Sequence, residues 1–282
     1  MKAASLQQLI EASDRLVEEN RLRELGLVFA CQNKVYCAEK GNQVLVAELS
    51  SPVLALAHNA GVLYAGGDFG VKNLIDGKDI SSRAVYALAS HGGALYGGCG
   101  DRHYRPSDID FYHSSCGQVY CILNDYKTAD IPEGISALAS HDGRLYAAGH
   151  TQMYDALTGK MLPLAPHPIY TFDKKDHVRH GLVLGLASHK DSLYCTNYFR
   201  GVDPGGTVVD IFNKKILVEQ DFEEFNKIAS VNDHLYYASA PGISDVFDTQ
   251  CNIPTGSYVT AMTGVPMPLW QEFAKKGRVM AK

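Results

Sequence analysis

The chain is poor in the features that assign a function at a glance. No apolar run approaches the ~20 residues a membrane-spanning helix needs, and residues 1–25 carry charge throughout instead of the apolar stretch of a secretion signal. No Asn-x-Ser/Thr acceptor occurs. The seven cysteines are odd in number and scattered, with no Cys-x-x-Cys, which argues against a disulfide framework and a structural zinc site. Cys37, Cys99 and Cys195 sit where strands are expected and read as buried thiols. These absences point to a reducing, cytoplasmic setting. Excess basic charge is missing too. The formal net charge is -5, so neither nucleic acid nor an anionic membrane is an expected partner. There is no His-Glu-x-x-His, no Gly-x-Ser-x-Gly, no P-loop and no dinucleotide fingerprint. No cofactor is identified on this basis, and no metal site is assigned.

What is present is a repeat. Leu88-Ala89-Ser90-His91 is followed by Leu95-Tyr96-Gly97-Gly98, and Leu138-Ala139-Ser140-His141 by Leu145-Tyr146-Ala147-Ala148. Leu56-Ala57-His58 with Leu63-Tyr64, Leu186-Ala187-Ser188-His189 with Leu193-Tyr194, and Ile228-Ala229-Ser230 with Leu235-Tyr236 are further copies. Val28-Phe29-Ala30-Cys31 with Val35-Tyr36 reads as an early degenerate copy. Within a unit, small residues and leucine alternate with the period of two that marks a strand. The polar, often Gly-bearing turn between the two runs reads as a hairpin. Third and fourth strands are expected, for example at Met153-Tyr154-Asp155 and at Lys160 to Leu164.

Four short antiparallel strands repeated radially make a β-propeller, which leaves only short, protected sheet edges. Small residues on the first strand would relieve crowding at the axis, and the leucines would fill the space between blades. Six Leu/Val-Tyr markers, Tyr36, Tyr64, Tyr96, Tyr146, Tyr194 and Tyr236, divide the chain into units of roughly 40 residues, a propeller period. The expected fold is all-β, a six-bladed propeller over 27–267, with seven blades as the alternative. Val259 to Thr263 resembles a first strand and is expected to close the ring on the first blade, which looks short of an outer strand. Residues 1–26 are read as an N-terminal amphipathic helix. It has Leu6, Leu9, Ile10, Leu16 and Val17 on one face and a capping box at Ser5 and Gln8. It is expected to pack on the propeller, with a dimer contact as the sharper reading. Residues 268–282 read as a helical turn and a basic tail.

Gly143 to Gly149 followed by Met153 to Lys160 resembles blades of the kelch, WD40-like and quinoprotein-like propellers. Gly61 to Gly67, with its glycine pair, does so too. The Trp-Asp ending of WD40 blades and the kelch tryptophan are both missing, since the one tryptophan is Trp270. The resemblance implies the fold. It leaves the activity open, because propellers host binding, scaffolding and several enzymatic functions.

The insertions supply the asymmetry. Turns between first and second strands stay short, whereas length varies after the Leu-Tyr strand and before the next unit. Both of those connections emerge on one face of a propeller. Functional residues concentrate on loops held by a rigid scaffold. The candidate ligand-binding residues are therefore His103, Tyr104, Arg105, Asp108, Asp110 and His113, with His150, Tyr198 and Arg200 as neighbours. The expected function is an interaction module that recognises a protein or a small polar ligand there. The alternative is a hydrolase or lyase on a polar or carbohydrate-like substrate, with or without a metal. His58, His91, His141 and His189 are read as one repeat position, set far apart around the ring and hydrogen-bonded to backbone on the opposite face.

Overall fold

The computed structural model describes residues 25–39, 42–100, 116–149, 152–164, 181–199, 205–221, 225, 227–239, 242–248, 251–266, 269 and 271. They form six small antiparallel sheets arranged as blades. The first blade holds β1 (Leu25–Cys31), β2 (Lys34–Glu39) and β3 (Asn42–Glu48). The second holds β4 (Ala55–Asn59), β5 (Val62–Gly67), β6 (Gly70–Asn73) and β7 (Asp79–Ser81). The third holds β8 (Ala87–His91), β9 (Ala94–Cys99), β10 (Gly117–Cys121) and β11 (Tyr126–Ile131). The fourth holds β12 (Ala137–His141), β13 (Arg144–Ala148) and β14 (Met153–Asp155). The fifth holds β15 (Gly181–His189), β16 (Ser192–Phe199), β17 (Gly205–Asp210) and β18 (Lys215–Asp221). The sixth holds β19 (Lys227–Val231), β20 (His234–Ser239), β21 (Gly242–Asp245) and β22 (Asn252–Pro254). The last strand, β23 (Val259–Pro266), returns to the first blade and pairs with β1.

Six blades, not seven, complete the ring. The closing strand joins the expected blade, but on the other side of it. The order β23-β1-β2-β3 makes β23 the innermost strand, lying between β19 and β4. The first blade therefore lacked an inner strand, not an outer one. The Val28 to Tyr36 hairpin, expected to be first and second strands, supplies second and third instead. The blade count survives because Tyr36 marks the correct blade from the wrong strand. The fourth strand expected at Lys160 to Leu164 shrinks to one bridge, Tyr154 to Met161. Leu25 and Gly26, assigned to the N-terminal helix, begin β1. The rest of that expected helix, its dimer contact and nearly all of 268–282 lie outside the described residues.

The core is shared between blades. Ala87 and Ala89 of β8 pack against Ile135, Leu138 and Leu145 of the fourth blade. Ala137 and Ala139 meet Leu186 and Leu193 of the fifth in the same way, and Ala55 and Ala57 meet Leu88 and Leu95. The alanine parity thus faces the next blade's leucines, and Ala55, Ala87 and Ala137 also border the axis, where the sequence reading placed the small residues. A small residue is needed because two sheets close on each other there. Leu63, Leu95, Leu145, Leu193 and Leu235, the leucines of the Leu-Tyr motif, are all fully buried at 0% exposure. Two consecutive left-handed residues form the first hairpin turn of the third and fourth blades, Gly92-Gly93 and Asp142-Gly143. None of the seven cysteines is in a disulfide. Burial pushes Cys31 up to about 11 and Cys99 and Cys195 up to about 12, so these three are unreactive packing groups.

Candidate functional site

The two faces of the ring are built differently. One carries the two-residue hairpin turns. The other receives the connections between second and third strands and between blades. Cys99 pairs with Gln118 and Phe199 with Gly205. The segments leaving Gly100 and Phe199 therefore start and end on the second face. Tyr198 lies there in β16, half-buried, opposite Leu182 and Gly206. His103, Tyr104, Arg105, Asp108, Asp110, His113, His150 and Arg200 lie outside the described residues.

The inner ends of all six blades line an axial shaft. At equivalent register positions stand Ala55, Ala87, Ala137, Gly185, Lys227 and Ala261. Five small residues and one lysine break the sixfold repetition. Each occupies the start of its strand or the equivalent level, so the lysine stands at the insertion-bearing end. Other shaft residues include Leu56, Leu88, Leu138, Leu186, Ile228 and Met262, with the side chains of Tyr86 and Ser136. The Lys227 ammonium donates one hydrogen bond, to the carbonyl oxygen of Leu184 at 3.1 Å. Burial lowers its pKa from the usual 10.5 to about 8, because a low-dielectric wall disfavours the charged form. Gly185 beside it has no room for a side chain: a Cβ there would lie 2.8 Å from Thr196 Oγ1 and 3.0 Å from the Ile228 nitrogen. The Thr196 hydroxyl is buried with no hydrogen-bond partner among the described residues.

Lys227 was not among the sequence-derived candidates. The signal was available. Lys227-Ile228-Ala229-Ser230 aligns with Ala87-Leu88-Ala89-Ser90, so a lysine stands where the repeat calls for alanine. Its lowered pKa has a consequence for stability. Between about 8 and 10.5 the unfolded chain holds a proton at this lysine that the folded chain does not, so stability rises with pH across that window. Urea unfolding midpoints from pH 7.5 to 10 should show this rise, and Lys227→Met should flatten it. The variant should also gain roughly 2 kcal/mol near neutral pH, where the charged lysine is buried at a cost.

The hairpin face is a structural lattice. His91 Nδ1 lies 2.9 Å from Ser140 Oγ, His141 Nδ1 2.8 Å from Ser188 Oγ, and His189 Nδ1 2.9 Å from Ser230 Oγ. Each pair ties one blade to the next, side chain to side chain, where backbone partners were expected. The fourth link is Ser90 Oγ donating to Asn59 Oδ1 at 2.7 Å. His58 pairs across its hairpin with Leu63, as Ser90 pairs with Leu95, so it occupies the serine position and not the histidine one. The interfaces flanking the closing blade lack the motif: Val231 and Val265 take the histidine position and Gly264 the serine one. The motif tyrosines face the third strand across the sheet, as Tyr64–Asn73, Tyr146–Asp155, Tyr194–Asp210 and Tyr236–Asp245. Those acids and the amide hold the next turn. Asp210 accepts from the Asn213 backbone at 3.0 Å and from Ser192 Oγ at 2.5 Å. Burial alone would raise its carboxyl, but hydrogen bonds from Asn213 and Ser192 outweigh that and hold it below the usual range. His234 Nδ1 meets Asp245 in the same role. Among the described residues no three His, Cys, Asp or Glu side chains gather as metal ligands. Among the same residues no helix is long and apolar enough to cross a membrane.

No family model matches the chain, and no curated protein matches it. Many solved structures share its shape. A Bacteroides caccae protein of unknown function superposes with a TM-score of 0.54 at 10% identity, covering 86% of this chain and 99% of that one. The structure of U3-55K gives 0.49 at 13% identity, covering 84% of this chain and 81% of that one. The WD40 repeats of RRP9 give 0.45 at 13% identity, with 84% of each chain covered. At such identities the likeness is one of fold.

Proposed function

We propose that this protein is a binding module that takes a polar ligand, free or displayed by a partner protein, on the face bearing the insertions. The observation that carries the reading is Lys227. Five equivalent positions hold alanine or glycine, and the sixth sets an amine in the wall of the shaft at that same face. The hairpin face is built differently: His91, His141 and His189 each bond through Nδ1 to a serine of the next blade, and Asp210 holds its own turn. Concave sites with a few convergent polar groups are where small ligands bind. His103, Tyr104, Arg105, Asp108, Asp110 and His113, with His150, Tyr198 and Arg200, would form the rim, and their aromatic and guanidinium groups are the types that dominate binding energy.

The test is a thermal-shift panel of sugars, nucleotides, carboxylates and short acidic peptides on the full chain and on an Arg105→Ala, His113→Ala, Arg200→Ala triple variant. At least one class should raise the melting temperature of the unaltered chain, and the variant should lose the shift while keeping its ligand-free melting temperature. A panel without effect, or a shift the variant retains, overturns the proposal.

A further inference from the structure

We propose that Lys227 is an anion subsite: one small anionic oxygen group of the ligand, a carboxylate or a phosphate, enters the shaft from the insertion face and pairs with its ammonium. The inference rests on the binding-face reading and adds the ligand's chemical class.

The first argument is supply and demand at the nitrogen. An ammonium has three N–H donors, and the Leu184 carbonyl accepts one of them. The shaft wall around it is built from Leu, Ile, Met and Ala, and no acidic side chain lines it among the described residues. A partly buried cation is most stable with an anionic partner, and natural interiors pair such groups; among the described residues none lines the shaft. An anion arriving from solvent would take that place, and in this partly desolvated setting the attraction exceeds that between the same charges in water.

The second argument is that a purely structural role does not need a lysine here. The other five blades close at the same level with Ala55, Ala87, Ala137, Gly185 and Ala261, so the ring does not require a long side chain at this position. A bond to one carbonyl could come from a neutral donor without burying a charge. The remaining polar side chains of the wall do not compete for an anion. The Tyr86 hydroxyl donates to Asp68 Oδ1 at 3.2 Å, and the Ser136 hydroxyl donates to the Ala148 carbonyl at 3.2 Å. The cavity of the shaft is about 70 Å³, which admits one small group and not an extended polymer.

The experiment uses the full chain labelled at the lysine side chains, with the Lys227 resonance assigned by its loss in Lys227→Met. Sodium acetate and inorganic phosphate are titrated in at constant ionic strength, with sodium chloride as control. The Lys227 signal should move saturably with acetate, phosphate or both, and its midpoint of titration should rise from about 8 by at least ~1 unit, the sign of a partner for the charged form. Lys227→Arg should retain binding and Lys227→Met should weaken it by about tenfold or more. Saturation by acetate alone identifies a carboxylate ligand, and by phosphate alone a phosphate ligand. No saturable movement with either, or equal affinity in Lys227→Met, overturns the subsite. Loss of ligand shifts in the rim variant with no anion effect at Lys227 would leave the binding face standing and this inference refuted. Anion capture at Lys227 with no dependence of any ligand on the rim would do the reverse.

Discussion

A chain ended after Tyr258 is expected to lose cooperative folding altogether. That truncation removes β23, which lies innermost in the first blade and pairs with β1 from Leu25–Pro266 to Cys31–Val259. It also takes away Val259, Ala261, Met262 and Val265, all buried. Two inter-blade cores lose a wall at once: Ala261 and Val265 pack toward Leu56 and Leu63 on one side, and Val259 and Met262 toward Ala229 and Ile243 on the other. Burying four such side chains is worth on the order of 5 kcal/mol or more, comparable to the whole stability of many domains. Circular dichroism melting should lose its sigmoidal transition, and size-exclusion chromatography should show an expanded or aggregated species. A peptide spanning residues 257–282 added in trans should restore part of the transition. A truncated chain melting within a few degrees of the full one would mean that the four remaining interfaces suffice and that β23 is dispensable.

Gly70→Ala should destabilise the second blade by about 3 kcal/mol or more. Gly70 has φ +94°, and a Cβ built there would run into the carbonyl oxygen of Ser81 while lying 2.9 Å from the Ser82 Cα. The clashing atoms are backbone, on the strand that Val71 pairs with, so no rotamer change relieves the overlap. Gly77 provides the matched control. Its φ is +75°, but nothing lies within 4 Å of a built Cβ. Gly77→Ala should therefore cost only the left-handed strain of an alanine, about 1 kcal/mol. Urea unfolding of the two variants separates close approach from backbone conformation, and equal losses would show that the approach of Ser81 to Gly70 is not rigid.

Repetition made most of the fold legible. Alternation of Ala and Leu identified the inner strands of the second to fifth blades, and Gly92-Gly93 and Asp142-Gly143 identified hairpins, because these residues serve the local backbone and report on it directly. The errors fell where a residue's meaning depends on a distant segment. Val28 to Tyr36 has the spacing of a first hairpin, and nothing within it reveals that β23, more than 200 residues later, takes the inner place. His58 lies one residue out of register with His91, His141 and His189. A histidine beside a turn looks alike in either register until the pairing across the hairpin is known. Lys227 failed to stand out for a similar reason: in sequence it is an ordinary lysine at the start of a weak repeat. It becomes unusual only when five other strands bring alanine and glycine to the same level of a common shaft.

The amino-acid pattern alone pointed to an all-β ring of repeated hairpins, to six blades ahead of seven, and to long connections after second strands and between blades. Those follow from short-range rules of pleat, turn conformation and side-chain volume that each unit carries within itself. Closure of the ring decided which strand is innermost in the first blade, which blade each alanine faces, and which histidine meets which serine. It also decided that one amine stands among alanines and a glycine at one level of the shaft. These are properties of units meeting one another around an axis, where desolvation and close packing act between residues that no local pattern connects.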